Sequence, residues 1–124
     1  MSQWLAIALG GAVGAVGRFW LSNGVYSLLG RDFPYGTLVV NVLGSLLMGL
    51  LYVLLTERSA LGPEWRALII VGFLGGFTTF STFSMETLTL IEAQAYLKAG
   101  MNILLSVVLC LMGTGLGMIL ARKL

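Results

Sequence analysis

The chain of 124 residues is 58% hydrophobic and 10% charged, carries a net charge of +2 from seven Lys and Arg against five Asp and Glu, and holds 17 Gly, one Cys and no His. A soluble domain runs about 25% charged and cannot hide this much apolar surface at this size, and disorder needs the opposite balance. A lone Cys makes no internal disulfide, the lack of His removes the imidazole base and Cys/His metal clusters, and the weak, scattered charge offers no footprint for nucleic acid. The bilayer remains as the solvent, and no enzyme is expected.

Four apolar stretches each approach or exceed the about 20 residues that a helix needs to cross a hydrocarbon core. The first covers residues 4–21 and is interrupted only by Arg18. It reads as a span and not as a signal peptide, because no basic residue precedes it and no small-residue cleavage site follows. Residues 22–35, with Asn23, Gly24, Gly30, Arg31, Asp32 and Pro34, read as a connection with room for a short interfacial helix. The second stretch, 36–55, has no charge but holds Asn41 and Ser45. A charged connection with Glu57, Arg58, Gly62, Pro63, Glu64 and Arg66 leads to the third stretch, 67–91. That one carries Gly75, Gly76, Thr78, Thr79, Ser81, Thr82, Ser84 and Glu86. A connection with Glu92 and Lys98 precedes the fourth stretch, 101–121. The expected fold is all-α: one membrane domain over residues 1–124 with four transmembrane helices.

Four spans place both termini and the second connection on one side. Arg58, Arg66, Arg122 and Lys123 then face Arg31 and Lys98, with Arg18 joining these if it snorkels outward. The Lys and Arg excess that fixes orientation is feeble here. Such a chain can insert either way up, and two copies in opposite orientations can pair about an axis in the membrane plane.

The glycines at 10 and 14, and at 113 and 117, are spaced for close helix packing, as Gly44 and Gly49 also suggest. Gly75 and Gly76 in mid-membrane predict a third helix broken near Gly75–Thr79, since irregular backbone is tolerated at that depth where it is buried in protein or lines a cavity. Freed carbonyls there suit a small dehydrated cation. Beyond the break Phe80 and Phe83 share a helix face, and Ser81 and Ser84 form a second row. Packing and permeation both fit this segment. Asn41 fits interhelical bonding or a site, and counting places it in the same half of the bilayer as Arg18, Phe83, Glu86 and Ser106. Arg18 and Glu86 suit a mutual ion pair, while Arg18 equally suits a vestibule that gathers anions. Amide and hydroxyl donors beside phenyl edges favour an anion over a cation.

The segment from Gly72 to Glu86, GFLGGFTTFSTFSME, together with Gly36 to Asn41 and Gly10-Gly11 to Arg18, closely resembles the CrcB/Fluc fluoride channels. The likeness extends over essentially the whole chain. It implies an antiparallel dual-topology homodimer in the cell (inner) membrane, multi-pass, that passes fluoride passively and lowers its toxicity inside the cell. By position, Asn41 resembles the pore amide, and Phe80 and Phe83 the paired rings that meet fluoride by their edges. Gly75 and Thr78 match the positions whose carbonyls hold a structural sodium ion at the dimer centre. Ser81, Ser84, Thr37 and Ser106 match the hydroxyl track, Arg18 the vestibule arginine, and Glu86 a family acid. Cys110 stands where some relatives carry Ser, and a thiol is the weaker donor.

A proton-coupled exporter of the small multidrug resistance type shares the size and dual topology, but it needs an acid in the first helix, where this chain has Arg18. A non-conducting membrane subunit would leave the Phe and Ser rows without a purpose.

Overall fold

The structure is a computed structural model that describes residues 2–58 and 61–124. Among the described residues there is no strand. Helix α1 spans Gln3–Leu29, α2 Tyr35–Thr56, α3 residues 63–77, α4 Phe80–Glu92 and α5 Tyr96–Lys123. Because α3 and α4 share one apolar length, Pro63–Glu92, four lengths are long and apolar enough to cross a membrane.

Ser2 starts α1, its Oγ accepting from the Leu5 N–H at 3.1 Å, which satisfies one of the donors a helix start leaves over. The helix continues well beyond Leu21 and shortens the connection to 30–34. Apolar length measures what lipid tolerates, whereas helix length follows backbone bonds; Ser22 and Ser27 turn their hydroxyls onto the Phe19 and Asn23 carbonyls and stay within the helix. Gly30, with φ of 84°, closes it by donating to the Tyr26 carbonyl. A left-handed φ is where glycine carries no Cβ penalty.

The third length is built in three styles. Pro63 sits in the first turn, where its missing N–H costs nothing. Ala67–Leu74 then widens to π-helical turns, and Gly75 N–H reaches back to the Ile70 carbonyl. Gly75 itself is helical (φ −62°, ψ −39°), and the extended residues are Thr78 (φ −85°, ψ 158°) and Thr79 (φ −151°, ψ 115°). Gly76 serves packing: a Cβ on it would meet the Gly11 carbonyl oxygen of α1 at 2.7 Å, whereas one on Gly75 would meet only the Ile70 carbonyl of its own helix, at 3.9 Å. Thr79 restarts the helix as cap, its Oγ1 accepting from the Thr82 N–H at 3.2 Å. At the far end Gln94, at φ 62°, and Ala95 donate to the carbonyls of Ile91 and Leu90, a Schellman closure.

Two seams hold the helices. α1 lies along α3, where a Cβ on Gly10 or Gly14 would fall on the carbonyl oxygen of Leu68 or Phe73. α2 lies along α5, where Gly49 and Gly117 meet the Thr114 and Leu46 carbonyls in the same way. Small residues permit this approach, and van der Waals packing drives it where lipid is as apolar as Leu. Trp4, Val13, Val16 and Trp20 point outward from α1 and suit lipid.

Candidate functional site

The interruption at Thr78 and Thr79 is splinted from α2. Asn41 Oδ1 accepts from the Thr79 N–H at 2.8 Å, and its Nδ2 donates to the Thr79 carbonyl at 3.0 Å. In a continuous helix that N–H would have bonded the Gly75 carbonyl, four residues back. The clamp thus replaces one rung of the ladder and releases Gly75 O from its helical donor. Thr78 turns back instead: its N–H and its hydroxyl both donate to Leu74 O, at 3.0 and 2.9 Å. Gly44 of α2 makes room for the Thr78 methyl, since a Cβ there would fall on Thr78 Cγ2. From the other side Arg18 Nε donates to the Gly76 carbonyl at 3.0 Å.

Beside this clamp lies a cavity of about 390 Å³ lined by Asn41, Ser45, Thr78, Phe80, Phe83, Ser106, Cys110 and Thr114 among others. The Phe80 and Phe83 rings stand 5.3 Å apart, tilted by 45°. Phe83 is 9% exposed and Phe80 76%, so one ring is held by its own chain and the other looks outward. Most hydroxyl hydrogens here are already engaged. Thr78 donates to Leu74 O, Thr114 to Ser45 O at 3.0 Å, and Ser106 to Asn102 Oδ1 at 3.4 Å. An amide nitrogen has two hydrogens and Thr79 takes one, which leaves Asn41 with a donor for a guest. An amide N–H and two phenyl rings, whose rims carry the positive part of the ring quadrupole, thus line the same cavity.

A second polar cluster lies apart from the cavity. Tyr26 donates to Glu86 Oε2 at 2.8 Å and stands 3.4 Å from Thr37 Oγ1. Glu86 Oε1 is buried with no partner among the described residues. The Arg31 guanidinium covers the Tyr26 ring at 4.5 Å, at the rim of a smaller hollow of about 190 Å³ that Glu86 and Asp32 also line.

The site residues expected from sequence therefore separate. Asn41, Thr78, Phe80, Phe83 and Ser106 share one cavity, and Thr37 sits with Glu86. Ser81 and Ser84 lie on the exposed face of α4, Ser84 bonding its own Phe80 carbonyl at 3.0 Å and Ser81 standing 3.4 Å from Thr79 Oγ1. Arg18 and Glu86 form no ion pair: Arg18 bonds beside the interruption, while Glu86 is ten residues further along the third length than Gly76 and meets Tyr26. Equal counting depth did not bring them together because α1 and α4 touch at Tyr26, two turns beyond Arg18. Sequence reasoning missed Tyr26, Thr87 and Asn102. Asn102, only 2% exposed, donates to Thr87 Oγ1 at 2.9 Å, and Thr87 donates to Phe83 O at 2.8 Å. Asn102 had a signal, as the amide of the fourth apolar stretch. Tyr26 had none while it was read as part of a connection.

Comparison with known proteins points one way. Residues 5–118 match the sequence family described as "CrcB-like protein, Camphor Resistance (CrcB)". A protein of Methylococcus capsulatus named "Fluoride-specific ion channel FluC" is 62% identical over 119 residues, covering 96% of this chain and 52% of that protein. Proteins with the same name from Coxiella burnetii and Geobacter sulfurreducens are each 51% identical, the first over 97% of this chain and 98% of its own length, the second over 100% of both. The chain thus spans about half the length of the Methylococcus relative, at 52%, and nearly all of the other two. With the family match running from residue 5 to residue 118, the chain belongs to the CrcB family of membrane proteins.

Proposed function

We propose that this chain is a fluoride-specific ion channel of the cell (inner) membrane, that it exports fluoride passively, and that it works as an antiparallel homodimer with a structural sodium ion at its centre. The observation that carries the reading is the shared cavity: an Asn41 amide locked in orientation by Thr79, with one hydrogen to spare, beside two tilted phenyl rings. Relatives named as fluoride-specific channels over essentially the whole of this chain support it.

Fluoride is small and strongly hydrated, so a pore must return what water gives up. The spare Nδ2 hydrogen of Asn41 donates to the ion, and the rims of Phe80 and Phe83 supply soft positive contacts along a path too apolar for water to follow. No Asp or Glu lines the cavity, so nothing there repels an anion or holds a cationic drug, which disfavours the exporter alternative. Ser106 borders the rings, with Thr37 farther along the helix of Asn41 and Glu86 farther along that of the rings. Phe80, Ser81 and Ser84, exposed on a single chain, join the path against the second copy.

The residues present fit the sodium ion. The Asn41 clamp frees the Gly75 carbonyl, Thr78 is extended beside it, and a hard cation is satisfied by such oxygens. Gly75 and Thr78 of both copies would hold it, and bound there it would lock the two interruptions together.

The test is efflux from liposomes loaded with fluoride or chloride. Fluoride should leave and chloride should stay; Phe80→Ile or Phe83→Ile should reduce fluoride efflux at least about tenfold, the scale of roughly 1.4 kcal/mol on a barrier, with assembly in detergent unchanged. Equal release of both halides, or full flux in both variants, would remove the ring pair from the path.

A further inference from the structure

We infer that Arg18 is a positioning residue for this pathway: its Nε–H caps the carbonyl end of α3 and holds the interruption in shape, a role separate from any attraction its charge has for anions. The inference rests on the channel reading for its consequence, but not for its geometry.

The last carbonyls of a helix lack donors. Gly76 O, one residue from the end of α3, would in a continuous helix accept from the Phe80 N–H, and Phe80 instead opens α4. Arg18 Nε supplies the missing donor at 3.0 Å. The contact is not a chance reach of a long side chain. Arg18 follows Gly14 by four residues and so shares its face of α1, and that face is pressed on α3: a Cβ on Gly14 would strike Phe73 O and lie 3.0 Å from Phe77 N. Gly17 comes against the Phe77 ring, 3.8 Å from its edge for the same added atom. The seam delivers the half-buried Arg18 to Gly76. Asn41 meets the same short segment from α2, at Thr79. Two side chains from two helices thus hold the segment, Arg18 at the Gly76 carbonyl and Asn41 at the Thr79 N–H and carbonyl, and losing either frees it to relax toward helix.

The bonding atom makes the idea testable. Nε is attached to Cδ, and Gln places its amide nitrogen on that same atom, as a donor without charge. Lys keeps the charge but carries its nitrogen one carbon farther out. Positioning and long-range attraction therefore rank the variants in opposite orders. Arg18→Gln, Arg18→Lys and Arg18→Ala would be purified as the full chain, reconstituted, and assayed for fluoride efflux and for the thermal midpoint in detergent. A hydrogen bond to a charged donor is worth enough to shift a population about tenfold or more; on that scale Gln should stay within about threefold of the unmodified chain while Lys and Ala lose about tenfold, and the midpoints should follow the same order. Lys keeping its flux while Gln loses it would overturn the inference in favour of charge. So would a Gln variant that fails to assemble, or three variants indistinguishable from the unmodified chain. If the unmodified chain itself released no fluoride, the channel reading would fail, and the thermal order would still decide whether Arg18 caps α3.

Discussion

The two halves of the third apolar length meet the same problem with different chemistry. In α3 the backbone does the work: LIIVGFLGGF offers no side-chain donor, and the helix is held because Gly10, Gly14 and Gly76 let two main chains approach until a Cβ would collide. In α4 the side chains do it. Thr79 caps its start, Tyr26 bonds Glu86, and Asn102 bonds Thr87. Shape holds the first half and polar bonds the second, and the junction between them is where Arg18 and Asn41 reach in. A seam of backbone against backbone has no space for a guest, while a polar face with one amide hydrogen to spare does. For the proposed channel, the division puts the path beside the polar half and away from the α1–α3 seam.

The seam should break hardest. Gly14→Val places branched bulk on the Phe73 carbonyl, with no flexible neighbour to yield. Overpacking of a tight core costs about 1–3 kcal/mol and occasionally more; with backbone on both sides the upper end is expected, read as loss of monodisperse protein in detergent. Gly115→Ala, where nothing lies within 4 Å, is the control and should leave yield unchanged. If Gly14→Val assembles normally, α1 and α3 are not held by close approach.

The junction should fail next. Asn41→Asp keeps the acceptor for the Thr79 N–H but removes the donor to the Thr79 carbonyl and sets a negative charge beside the ring pair. Leaving a buried polar group unmatched costs about 1–3 kcal/mol, and a fixed anion repels another, so fluoride efflux should fall at least about a hundredfold. Flux within about threefold of the unmodified chain would show that the spare amide hydrogen is not on the path.

The contrast between the halves was partly legible in the residues themselves. Four apolar stretches and glycine spacing announce a helical bundle with close seams, and GGFTTFSTFS marks the irregular depth. The expected break near Gly75–Thr79 contains the extended residues, but which of those residues leave the helix was not legible: Gly76 is spent on packing, Gly75 stays helical, and the extended pair is Thr78 and Thr79, where Asn41 competes for the backbone. Asn41, Phe83 and Ser106 could be set in one half of the bilayer by counting spans, and the family resemblance added Phe80. Tyr26 could not, since its value depends on α1 continuing to Leu29 through Asn23 and Gly24, which local composition reads as a connection. Nor could the partners of Arg18 and Glu86, which are set by where helices cross and not by how deep each residue sits.

Within the polar half, effects should be graded by burial. Asn102→Ala removes the donor to a Thr87 that is itself 7% exposed and the acceptor for Ser106. About 1–3 kcal/mol is expected, read as a lowered thermal midpoint, together with altered flux because Ser106 lines the cavity. Tyr26→Phe should cost less, about 1 kcal/mol, since the cluster is only partly buried, yet it leaves both Glu86 oxygens unmatched. If Tyr26→Phe proved the more damaging, the second cluster and not the α4–α5 bonds would be what fixes the position of α4.

The smallest effect belongs to the most conspicuous charge pair. Arg122 meets Glu57 at 3.1 Å and joins the ends of α5 and α2, but the two side chains are 52% and 45% exposed. Water and salt already solvate both groups, and holding two long side chains in one geometry offsets what the pair gains. The work at this end is done instead by Arg58, whose Nη1 donates at 2.8 Å to the Ala121 carbonyl in the last turn of α5, an oxygen that also accepts from the Leu124 N–H at 3.2 Å. Glu57→Gln should therefore leave the thermal midpoint unchanged at physiological salt, whereas Arg58→Gln should lower it. A midpoint that falls with Glu57→Gln and recovers in high salt would reverse that order and make the charge pair the clasp between α2 and α5.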